Sequence, residues 1–130
     1  MSENVTKSGD GVQRTDTDPL TNRVPALTGV QSATWYSGTL GDGDVPGPSL
    51  YWIDAVVTLP DGVAEQLRDT LDLTPAASPP PVVDALIPHL PTGTLLTGPQ
   101  LDHAFSAGGW RSTAYLSQST DELVLVIVGQ

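Results

Sequence analysis

The chain has 130 residues, 15 acidic groups against 5 basic ones and a formal charge of −10, and that length fits one domain. From Val30 onward Arg68 and Arg111 are the only basic side chains. This excludes nucleic-acid binding and disfavours anionic membranes, both of which need several Lys/Arg contacts. The absence of cysteine removes disulfides, thiolate metal sites and thiol nucleophiles together.

The hydrophobic fraction, 38%, is low, and Gly 13 with Pro 12 make turns and loops plentiful. Residues 1–29 are Ser/Thr/Asp/Gly-rich with scattered Val and Leu. The expectation is a disordered polar tail, with Val24 to Leu27 as a docking point, ahead of a folded domain over 30–130. No apolar run reaches about 18 residues. Met1 to Leu20 lacks the apolar region of a signal peptide, so a cytoplasmic location is expected, although a trimmed leader would leave the same sequence. The abundance of Ala, Gly, Thr, Pro and Asp suggests a GC-rich bacterial or halophilic source.

The first predicted strand is Ala33 to Ser37. A loop, Gly41-Asp42-Gly43-Asp44-Val45-Pro46-Gly47-Pro48, separates it from a second strand, Leu50 to Leu59, and the two predict a wide antiparallel hairpin. The period of two puts Tyr51, Ile53, Ala55, Val57 and Leu59 on the core face, with Trp52, Asp54, Val56 and Thr58 opposite. Asp61 is placed to cap a helix reaching about Leu71, with Val63, Leu67 and Leu71 on its buried stripe. A Pro/Ala/Ser connector over Thr74 to Pro81 leads to a short second helix, Pro81 to Ile87, stopped by Pro88 and Pro91. Leu95 to Thr97 reads as a short strand. Pro99 opens a helical turn carrying Leu101 and Phe105. A C-terminal hairpin pairs Trp110–Ser117 with Glu122–Val128. Residues Leu123 to Val128 are all apolar, which places that strand near the centre of a sheet covered on both faces. The predicted fold is α+β: a single, mostly antiparallel sheet of four to five strands packed by two or three short helices.

Candidate chemistry is sparse. Asp42 and Asp44 alternate as in a calcium loop but lack its downstream acidic ligand, so a solvated turn is the better reading. Asp54, inside an apolar strand, suits either the wet face of the sheet or a pair with Arg111; buried, it would be a candidate acid or base. His89 and His103 lack a third ligand for a metal and a nucleophile for acid–base work. No metal, cofactor or catalytic residue is therefore assigned. Trp35, Trp52 and Trp110 fall on predicted strands, where core packing is their usual role. If they converge, they form an aromatic cleft. Phosphate-loop, Rossmann and zinc-protease motifs are absent.

The stretch Val45-Pro46-Gly47-Pro48-Ser49-Leu50-Tyr51-Trp52, the helix–proline-rich–helix centre, and the ending Thr113-Ala114-Tyr115-Leu116 with Leu123-Val124-Leu125 resemble small uncharacterised proteins of actinobacteria, over Ala33 to Gly129. The resemblance implies no activity. The functional expectation is a non-enzymatic binding or protein-interaction domain with an acidic surface, for which a basic partner protein is favoured. One alternative is a small-molecule-binding protein or minor enzyme with a cleft near Trp52, Asp54, His103 and Arg111, bordered by Trp35 and Trp110. Another is an inhibitor or immunity-type protein masking a basic partner by charge.

Overall fold

A strand that is apolar at every position needs cover on both sides, and the last strand of this chain organises the molecule accordingly. The computed structural model describes residues 7–8, 12–40 and 50–129. In chain order the strands are β1 (Lys7–Ser8), β2 (Ser32–Leu40), β3 (Leu50–Thr58), β4 (Thr74–Pro75), β5 (Leu95–Thr97), β6 (Trp110–Ser117) and β7 (Glu122–Gly129). The helices are α1 (Asp18–Arg23), α2 (Val63–Thr70) and α3 (Pro99–Ala104), with 3-10 segments at Pro25–Leu27 and Asp84–His89.

All strand pairs are antiparallel. Six strands form the sheet and the two-residue β1 adds a seventh, in the order β1-β2-β3-β7-β6-β5-β4. The α+β class and the antiparallel sheet are as expected, but four to five strands was too few. The extra ones, β1 and β4, are two residues each and carry no periodicity for a sequence to reveal. Strand β7 is the middle strand, and β2 runs to Leu40, beyond the predicted Ser37. The Asp42/Asp44 loop lies outside the described residues.

Register fixes what each face presents. On the first face, rows run Leu116–Leu123–Val57–Ala33, Ala114–Leu125–Ala55–Trp35, Ser112–Ile127–Ile53–Ser37 and Trp110–Gly129–Tyr51–Thr39. The main core lies here, closed by Leu20, Leu27, Ala64, Leu101 and Phe105 from the helices. On the second face, Trp52, Val56, Val124 and Tyr36 pack with Leu86 of the Asp84–His89 segment. The two central helical segments thus cover opposite faces. The chain crosses the first face with α2, reaches the far edge as β4, and returns over the second face before entering β5.

Three local expectations are corrected. Residues 12–29 are not a disordered tail: Leu20, Val24 and Leu27 are 0%, 1% and 0% exposed in the main core, so tertiary contact orders a segment whose composition alone suggests none. Asp61 does not cap α2; Gly62 does, with φ 86 and no side-chain cap, and the Asp61 carboxylate instead accepts from the Gln31 amide at 3.1 Å. The second helix begins at Asp84, not Pro81, and is a 3-10 segment. The Pro79-Pro80-Pro81 run has no N–H to donate and favours extended backbone, so helical turns start only after it.

Side chains finish what the ladders leave open. The Arg68 guanidinium on α2 donates to the carbonyls of Ser117 (2.9 Å) and Thr120 (3.0 Å), clamping the β6–β7 turn. On the outer edge of β6, the Ser112 N–H donates to Ser106 Oγ (2.9 Å) and the Ala114 N–H to Asp102 Oδ1 (2.8 Å). Helix α3 and the turn after it so cover edge amides that would otherwise invite another strand.

Candidate functional site

The row Trp110–Gly129–Tyr51–Thr39 ends the first face of the sheet. A side chain at position 129 would fill the space between the two aromatic residues. A Cβ there would come within 2.7 Å of the Trp110 ring. Glycine therefore lets the indole lie against the β7 backbone, an aromatic covering a strand glycine. Gly129→Ala is expected to displace Trp110 and destabilise the fold by about 1–3 kcal/mol, as overpacking does. Urea unfolding, with indole NMR shifts as a local probe, checks this, and an unchanged Trp110 signal would contradict it.

Beside this row, α1 and the segment before it roof the sheet and leave a cleft of ≈ 500 Å³. Ile53, Trp35, Trp110, Tyr51 and Pro19 are among the residues that line it. Trp35 lies beside the small residue Ala55 on the neighbouring strand, which leaves room for the indole. Its Nε1 donates to the Asp16 carbonyl at 2.8 Å, and the strand bridge between Arg14 and Trp35 anchors that segment to β2. Tyr51, by contrast, is 45% exposed.

Two guanidinium groups stand over the aromatic walls. Arg14 lies 4.5 Å from the Trp35 ring centre and Arg23 lies 5.2 Å from that of Trp110, both within cation–π range. Their partners differ. Arg14 pairs with Asp16 at 2.8 Å, on side chains 45% and 47% exposed. Arg23 donates Nη1 to the Pro19 carbonyl at 2.9 Å and has no carboxylate partner among the described residues.

The hydrogen bond from Arg14 holds the Asp16 carboxyl below the ordinary aspartate range. Because the folded value is depressed, the contribution of the pair is present above the ordinary range and lost as pH falls through the lowered value. An NMR titration should put the Asp16 midpoint below that of a free aspartate, and Arg14→Leu should move it back up. A midpoint in the intact chain no lower than in Arg14→Leu would contradict the pairing.

The six residues expected to form a site are only partly brought together. Trp35 and Trp110 share the cleft. Trp52 sits between Tyr51 and Ile53 at its base, but strand alternation sends its ring to the second face, where it packs with Leu86. Asp54 is also on the second face and 0% exposed, accepting the Val83 N–H at 2.8 Å. That corrects both the wet-face reading and the pair with Arg111: Arg111 is exposed on β6, separated from β3 by β7. His103 is exposed on α3, apart from the cleft. Alternation reveals that Trp52 and Asp54 share a face and not which segment covers that face at their positions.

Arg14, Arg23 and Tyr51 were missed as site residues. The two arginines belong to the segment read as disordered. The signal that would have found them is the spacing of Leu20, Val24 and Leu27, which stacks on one side of a helical turn.

A second concavity of ≈ 460 Å³ is bordered by Thr97, Pro99, Asp102, Thr113 and Tyr115. Burial first, and the Asp102 charge second, raise the Tyr115 phenol above its ordinary value. The Asp102 carboxylate there already accepts the Ala114 amide. Among the described residues no group of three or more His, Cys, Asp or Glu is placed to hold a metal ion, and no helix is long and apolar enough to cross a membrane. Comparison with known protein families, curated proteins and solved structures finds no match.

Proposed function

We propose that this protein binds a small molecule non-covalently in the cleft between Trp35 and Trp110. The observation that carries the reading is the convergence of three aromatic residues on one concavity of ≈ 500 Å³, a size within the range of about 300–1,000 Å³ typical of ligand sites. Flat apolar walls favour a flat apolar ligand body, held by stacking and by removal of its surface from water. The hydroxyls of Ser37, Thr39 and Tyr51 supply orienting polar contacts along the rim. The cleft replaces the one expected near Trp52, Asp54, His103 and Arg111, whose side chains are dispersed over both faces of the sheet.

The test is a titration of the full chain with 2-naphthamide, a flat neutral probe, followed by tryptophan fluorescence and calorimetry. Saturable binding is expected. Trp110→Ala should weaken it about tenfold, the scale of one lost aromatic contact, and His103→Ala should leave it unchanged. Absence of saturable binding, or equal affinity in Trp110→Ala, would sink the proposal.

A further inference from the structure

We infer that Arg23 makes this cleft selective for ligands that join a flat apolar body to a single carboxylate, an inference that rests on the binding role proposed above. The first ground is the pairing of charges. The chain has 15 acidic side chains and a net charge of −10, and of the two guanidinium groups at the cleft Arg14 is matched by Asp16. Arg23 is not so matched among the described residues, and it lines the same cleft.

The second ground is preorganisation. Nη1 is tied to the Pro19 carbonyl one helical turn back, and the Trp110 ring lies 5.2 Å from the guanidinium carbon. These contacts fix the plane of the fork while leaving most of its five N–H donors uncommitted. A fixed fork matches the two oxygens of a carboxylate in bidentate geometry and loses little freedom in doing so.

The third ground is the limit on ligand charge. Arg14 is neutralised by Asp16, so among the described residues the cleft offers one cation without a carboxylate partner. The remainder of the molecule is strongly negative and repels anions at longer range. One cation balances a monoanion and leaves a phosphate dianion with an unmatched charge. Ile53, Trp35 and Trp110 then cover the ligand body while Arg23 holds its head.

The experiment compares probes sharing one aromatic body: 2-naphthoate, 2-naphthamide and 2-naphthyl phosphate, titrated into the full chain by calorimetry. Naphthoate should bind about tenfold or more tighter than the amide, the scale of one charge-assisted hydrogen-bonded pair, and tighter than the phosphate. Arg23→Gln should bring naphthoate down to the level of the amide and leave amide affinity within about twofold. Arg111→Gln removes the same charge from the second face and should change neither. Arg23→Lys, which keeps the charge without the fork, should fall between wild type and Arg23→Gln, and it carries the test if the glutamine variant fails to fold. Equal binding of acid and amide, tighter binding of the phosphate, or the same loss in Arg111→Gln would overturn the selectivity while leaving the cleft a binding site. If none of the three probes binds, the binding role fails as well.

Discussion

Removing residues 1–28 should abolish cooperative unfolding. Leu20, Val24 and Leu27 are buried as completely as the strand residues beneath them, at 0%, 1% and 0% exposure. Truncating one such side chain to alanine typically costs about 2–5 kcal/mol, and a domain of this size has only about 5–15 kcal/mol in all. The deletion removes all three, uncovers part of the main core and takes away the Asp16 carbonyl that holds the Trp35 indole. The shortened chain should show a broad thermal transition and bind a hydrophobic dye. Leu20→Ala is the milder version and should lower stability by about 2–4 kcal/mol with the transition still cooperative. A truncated chain that melts as sharply as the full one, within a few degrees, would show that this segment does not belong to the core.

The next largest effect is expected at Asp54. Its carboxylate is wholly buried at the centre of the sheet, between Tyr36 on β2 and Val126 on β7 along its row. It accepts the Val83 N–H at 2.8 Å, joining β3 to the return segment over the second face. Asp54→Ala leaves that amide without this acceptor and opens a void, which together should cost about 2–4 kcal/mol. Asp54→Asn keeps the shape and one acceptor oxygen and should lose less. Urea unfolding of the two variants provides the comparison. If alanine is tolerated within about 0.5 kcal/mol, the range of an ordinary surface change, the carboxylate is not the tie described here. Because Asp54 faces away from the aromatic cleft, Asp54→Asn should also leave naphthamide binding unchanged.

The sequence revealed the parts of the fold that repeat a pattern. Unbroken apolar character from Leu123 to Val128 predicted a central, doubly covered strand, and β7 is that strand. Alternation from Tyr51 to Leu59 identified the face of β3 that meets the main core. Short or strongly context-dependent parts were illegible. Helix α1 has six residues, one of them proline, so its only periodic signal is the Leu20, Val24 and Leu27 spacing that runs on past its end, and its order comes from contacts with residues far along the chain. The return over the second face depends on where the proline run sends the backbone, and that route decides whether Asp54 is wet or buried. The site was half legible for the same reason. Trp35 and Trp110 were visible as strand aromatics, whereas Arg23 gains its meaning only when α1 sets it against Trp110.

The position of β7 at the middle of the sheet also bears on how fast the molecule assembles. The β2–β3 and β6–β7 hairpins each join neighbours in the chain and can close early. The seam between β3 and β7 instead links residues roughly 70 positions apart, and it closes only after a long loop has lost its freedom. The docking of these two ribbons is therefore the step expected to limit assembly, on the roughly millisecond-to-second scale of sheet-rich topologies. Substitutions along the Ala55–Leu125 row should retard refolding, whereas changes in α3, which docks onto a finished β6 edge, should mainly hasten unfolding.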